Sequence, residues 1–93
     1  MDLKSLLEKN IAYNGYILQK TVAVEEMSEL TKELVKDLRG IADEKHIAEE
    51  IADVEIMLEQ LKIIYNNSDI VEKFKVAKLE RILKNLFKNE VIK

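Results

Sequence analysis

Val24-Glu25-Glu26-Met27-Ser28-Glu29-Leu30 and, further along, Glu49-Glu50-Ile51-Ala52-Asp53-Val54 bracket the stretch whose reading decides the fold. Each segment carries an acidic pair spaced i, i+3, Glu26 with Glu29 and Glu50 with Asp53. On a helix the two carboxylates of such a pair share one face. A turn of 100° per residue sets Glu50 beside Ile47, Ile51, Val54 and Met57, in the apolar stripe where a solvated acid does not belong. Asp53 borders that stripe. Glu26 continues the row begun by Leu18 and Val22, with Glu29 at its edge. An isolated buried carboxylate costs several kcal/mol, so four of them beside one core need a cation, a proton or water. A divalent metal meets the need; two solvated helix edges would remove it.

Between the two segments, Gly40-Ile41-Ala42-Asp43 reads as a short loop, with Gly40 closing one helix in the left-handed conformation and Asp43 capping the next. The pattern predicts helices over about 16–39 and 43–66, joined so briefly that they run as antiparallel neighbours. Glu29 lies eleven residues before Gly40 and Glu50 ten after it. At about 1.5 Å rise per residue the acidic pairs come level across the hairpin. The expected core stripes are Ala23, Met27, Leu30, Leu34, Leu38 and Ile41 on one helix, and Ile47, Ile51, Val54, Leu58, Leu61 and Tyr65 on the other. His46, the only histidine, precedes Glu50 by one turn. Packing in the first turn, or exposure, is expected of it before metal ligation.

Outside the hairpin, residues 2–12 predict a first short helix with Asp2 as its cap, and Asn14-Gly15 predicts a turn or kink. Tyr13 and Tyr16 flank that break, to pack at the junction or to stack on a base. Asn66-Asn67-Ser68 ends the second long helix. Asp69-x-x-Glu72 has the form of a capping box, which accounts for this acidic pair without chemistry. A last helix over about 69–90 offers Ile70, Phe74, Ala77, Ile82, Leu83, Leu86 and Phe87 for packing. Lys78 and Arg81 flank that face, placed to snorkel or to meet phosphate.

Composition agrees with long helices. Of 93 residues 47% are hydrophobic and 35% charged, with no proline and two glycines, and a sheet protein would need turn residues far more often. The absence of cysteine removes disulfide and thiolate chemistry and fits a reducing, cytoplasmic setting. A net charge of −3 with mixed signs argues against a nucleic-acid binder. No apolar run is long enough for a membrane span, and the start lacks a signal-peptide pattern. Two glycines leave no Gly-rich phosphate loop. One small domain, residues 1–93, is expected. Val24, Val35, Ile56 and Ile63 fall outside the hairpin's inner face, and each apolar side chain left exposed forgoes about 1.5–3 kcal/mol. A second copy is therefore expected to close a four-helix-bundle-type core.

Glu26-x-x-Glu29 and Glu50-x-x-Asp53, separated by twenty residues and set in VEEMSEL and EEIADVEIML, resemble the signature of the MazG-type all-α nucleoside triphosphate pyrophosphohydrolases. The resemblance runs from about Gln19 to Arg81 and is nearest to the short single-domain bacterial and phage-type members. It implies an all-α hairpin with flanking helices, a dimer or dimer-based tetramer, and Mg²⁺-dependent cleavage of a (d)NTP to the monophosphate and pyrophosphate as nucleotide house-cleaning. Glu26, Glu29, Glu50 and Asp53 would hold Mg²⁺, or Mn²⁺ in its place. Glu25 or Glu49 would support the metal or act as general base. Gln19 would touch base or ribose, and the basic residues of KLER, Lys78 and Arg81, would meet phosphate. The alternative is a non-catalytic helical interaction module whose acids tune an oligomer interface.

Overall fold

A computed structural model describes residues 1–92, with side chains to Lys88. It is all-helical: α1 (Leu3–Asn14), α2 (Tyr16–Leu38), α3 (Glu44–Tyr65) and α4 (Ser68–Ile92). No strand occurs among the described residues, and no helix is long and apolar enough to cross a membrane.

The breaks are local chemistry. Asp2 caps α1 by accepting from the Ser5 N–H at 2.7 Å, and α1 runs two residues beyond its expected end, to Asn14. Gly15 (φ 89°) then takes a conformation that a side chain would strain, so α1 and α2 form two helices rather than one. At the hairpin, Gly40 (φ 82°) donates to the Asp37 carbonyl and Ile41 to that of Lys36, a Schellman closure of α2. Asp43 caps α3, accepting from the His46 N–H at 3.1 Å. Asn66 ends α3 in the left-handed conformation (φ 49°).

The expected capping box at α4 is not formed. The helix begins one residue earlier, at Ser68, and Val71 donates to the Asn67 carbonyl at 2.9 Å. Asp69 therefore sits inside the first turn, where its side chain is past the cap position.

α2 and α3 are the main antiparallel pair, α1 contacts both, and among the described residues α4 meets only α3. The buried apolar core is small: Leu7, Ile11, Ala23 and Met57. This corrects the expected stripes. Met27, Leu34, Leu38 and Ile41 of the α2 side, and Ile51, Leu58 and Tyr65 of α3, are exposed. In their stead the seam between α2 and α3 buries Gln19, Glu33, Glu50 and Gln60. Nor does α4 bury its expected face: Ile70, Phe74, Ile82, Leu83, Leu86 and Phe87 are all more than half exposed. Tyr13 and Tyr16 also stand in solvent rather than packing at the junction. The reason is shape. The chain has a radius of gyration of 17.2 Å, where about 12 Å is usual for its length, so the apolar faces find no cover within one copy.

Candidate metal centre

The α2–α3 seam is built from polar layers at a seven-residue spacing. α2 contributes Gln19, Glu26 and Glu33, and α3 contributes His46, Asp53 and Gln60. Seven residues make two helical turns, so each set lies on one face. Antiparallel partners have numbers that add to a constant, and the pairs Gln19/Gln60, Glu26/Asp53 and Glu33/His46 share one total. Three polar layers thus cross the hairpin.

The outer two layers are satisfied. Asn10 from α1 donates to the side-chain oxygens of Gln19 at 3.2 Å and Gln60 at 3.0 Å. At the other end, His46 Nδ1 lies 2.7 Å from Glu33 Oε1, and Lys36 Nζ is 3.3 Å from Glu33 Oε2. The middle layer sets acid against acid. Glu50 joins it from the next position on the same face of α3, and carboxylate oxygens of Glu26, Glu50 and Asp53 lie within 4.8 Å of one another. Glu50 is 7% exposed, and its Oε2 is buried with no hydrogen-bond partner. Its Oε1 is 3.2 Å from His46 Nε2.

The electrostatics show the strain of this arrangement. Burial pushes the Glu26 carboxyl above its ordinary pKa. The charges of Asp53 and Glu50, a hydrogen bond that the protonated Glu26 carboxyl donates to the Asp53 carboxylate, and the charge of Glu29 push it further. Burial acts to lower His46, but the charge and hydrogen bond of Glu33, then the charges of Glu50 and Glu49, outweigh it and raise its pKa.

A hard divalent cation fits this group. The donors are all carboxylate oxygens, the class such cations take, and they come from two helices fixed by the hairpin. The orphaned Glu50 oxygen lacks only a positive partner, and burying it unpaired is costly. Of the four expected ligands the structure brings together three, Glu26, Glu50 and Asp53. Glu29 is exposed at the edge, close enough for its charge to act on Glu26. Glu25 and Glu49 are exposed, and Glu49 acts on His46 through its charge. Gln19 is buried in the neighbouring layer, about two turns from Glu26. Lys78 and Arg81 lie on the exposed α4, which among the described residues does not meet α2.

The sequence reading missed Glu33, Asn10 and Gln60. Glu33 had a signal, since it stands seven residues after Glu26 and fourteen after Gln19. Its burial at 3% exposed reverses the usual expectation for a glutamate. Asn10 had none, because its partners lie on two other helices. Compared with known proteins, this chain matches no family model, no curated protein and no solved structure.

Proposed function

We propose that the Glu26–Glu50–Asp53 group holds Mg²⁺, with Mn²⁺ able to replace it, and that the chain is a nucleoside triphosphate pyrophosphohydrolase. The observation that carries the metal assignment is the middle layer: three carboxylates within 4.8 Å, one of them with a buried, unpartnered oxygen. The reaction class rests on the resemblance of the two acidic words to the MazG-type signature. A bound Mg²⁺ would neutralise the triphosphate and orient it for attack.

The chain's own residues have separate tasks. Glu26, Glu50 and Asp53 would hold the cation, and Glu29 is exposed at the edge of the group. Glu49 and Glu25, exposed and outside the three-carboxylate group, are the carboxylates available to take a proton from the attacking water. Gln19 would contact the nucleotide only by releasing Asn10. Lys78 and Arg81 are exposed on α4, which among the described residues contacts α3 and not α2, so phosphate contacts would come from Lys78 and Arg81 of the partner subunit.

That second copy has a quantitative motive. The chain exposes 7730 Å², where a compact protein of its mass exposes about 5,500 Å². The excess, about 2,200 Å² per copy, matches what an obligate dimer buries on each side. The same excess favours the second reading, a helical assembly module without catalysis.

A panel of standard and modified nucleoside triphosphates with Mg²⁺ separates them. Pyrophosphate as first product, with ¹⁸O from water entering the monophosphate or the pyrophosphate, supports the hydrolase. Orthophosphate as first product rules out this reaction class. No turnover, together with a stable dimer, favours the assembly module.

A further inference from the structure

We infer that Glu33 and His46 act in series as positioning residues for Glu50, holding one of its carboxylate oxygens so that the other is presented to the cation. The inference rests on the metal assignment above and adds two residues to it.

The geometry is a chain of close nitrogen–oxygen contacts running from the buried end of the seam to the acid group. Glu33 is buried, and its Oε1 lies 2.7 Å from His46 Nδ1. The other edge of the ring, Nε2, lies 3.2 Å from Glu50 Oε1. Both ring nitrogens are engaged, so His46 faces carboxylates on either side, and it does not belong to the three-residue acid group. Its backbone is fixed as well, since its N–H donates to the Asp43 cap at 3.1 Å. Glu50 Oε1 is thereby occupied and Oε2 is left without a partner. A carboxylate free to rotate would have two equivalent oxygens; this one has one held and one free. Glu33 itself stands a full polar layer from Glu26 and reaches the acid group only through the imidazole.

Partners that orient a metal ligand commonly change metal affinity by about 10–100-fold when removed. A mere clip between α2 and α3 would instead change thermal stability and leave the affinity of folded molecules alone. The distinguishing measurement is Mn²⁺ binding by electron paramagnetic resonance, on protein shown to be folded by circular dichroism. Relative to the wild-type chain, His46→Leu removes both donors at similar volume and should weaken Mn²⁺ binding about 10–100-fold. His46→Gln keeps one donor within reach of Glu50 and should recover most of that loss; Glu33→Leu serves as the test if His46→Leu does not fold, wild-type affinity there overturning the relay. Glu33→Leu should weaken binding in the same direction. Because the two residues act in series, the double variant should lose no more than His46→Leu alone.

Wild-type affinity in both His46 variants overturns the relay while leaving the metal assignment standing. Additive losses in the double variant also overturn it, since Glu33 would then act by another route. A wild-type chain that takes no Mn²⁺, with Glu50→Gln no different, overturns the metal assignment and the relay with it.

Discussion

The α2–α3 seam and helix α4 invert each other. The seam buries polar groups: Gln19, Glu33, Glu50 and Gln60 are its most enclosed side chains besides Ala23 and Met57. Helix α4 exposes apolar ones, with Phe74 at 61% and Leu83 at 54%. A protein stabilised only by its own core would do the opposite, since burial of apolar surface is the main favourable term. The difference teaches that one copy holds its polar seam in place while leaving its apolar α4 surface uncovered. The seam is organised by hydrogen bonds between named partners, which demand geometry. The arm is organised by area, which demands only cover.

The largest expected effect is on the seam's chemistry. Glu50→Gln keeps shape but removes the charge and the orphaned oxygen's affinity for a cation. Metal-dependent turnover should fall by more than the roughly 100-fold typical of outer partners, with helicity retained by circular dichroism. Unchanged turnover would separate the seam from catalysis altogether.

The next effect belongs to the arm. Phe74→Asp combined with Ile82→Asp, about two turns apart on α4, should dissociate the proposed dimer, because each apolar side chain is worth about 1.5–3 kcal/mol when covered. Light scattering should then give the 10.8 kDa mass of one chain. If the wild-type protein is itself a stable, active monomer, the contrast between seam and arm loses its explanation.

A smaller effect concerns pH in metal-free protein. Glu26 and His46 both hold a proton more tightly folded than unfolded. The folded chain therefore binds more protons between each ordinary pKa and its raised value, and stability falls as pH rises through those intervals. For Glu26 the stabilisation is complete below the ordinary glutamate range; for His46 it is complete below the ordinary histidine range. Melting temperature with chelator present should decline from acid toward neutral pH. Added Mg²⁺ should flatten the Glu26 part of the slope, and so should Glu26→Gln. A melting temperature that climbs through the glutamate interval, in a chain whose Glu26→Gln variant climbs equally, would remove the repulsion assigned to the middle layer.

The smallest effect sharpens the comparison at the two helix starts. Asp43 accepts a hydrogen bond at the α3 cap, so Asp43→Ala should cost about 1 kcal/mol, or about 4–8 °C in melting temperature for a domain of this size. Asp69→Ala, inside the first turn of α4, should stay within about 0.5 kcal/mol. Equal losses at both would restore the capping box read from the sequence.

The sequence by itself determined what is local. Four helices, the breaks at Gly15, Gly40 and Asn66, and the caps at Asp2 and Asp43 all follow from interactions within a few residues, where residue type dictates backbone conformation. The level register of Glu29 with Glu50 and of Glu26 with Asp53 followed from counting along two helices joined by a tight loop. Which stripe each helix turns inward was not local, and there the apolar pattern misled: Met27, Leu34, Leu38 and Phe74 look like core but stay exposed in one copy. Only the tertiary structure decided that the inward faces are the polar rows, that Glu33 is buried against His46, and that Asn10 bridges Gln19 and Gln60. The physical reason is that periodicity marks surfaces that gain by leaving water without saying which surface covers them. A carboxylate's burial depends in turn on partners from other helices, such as the imidazole that engages both Glu33 and Glu50.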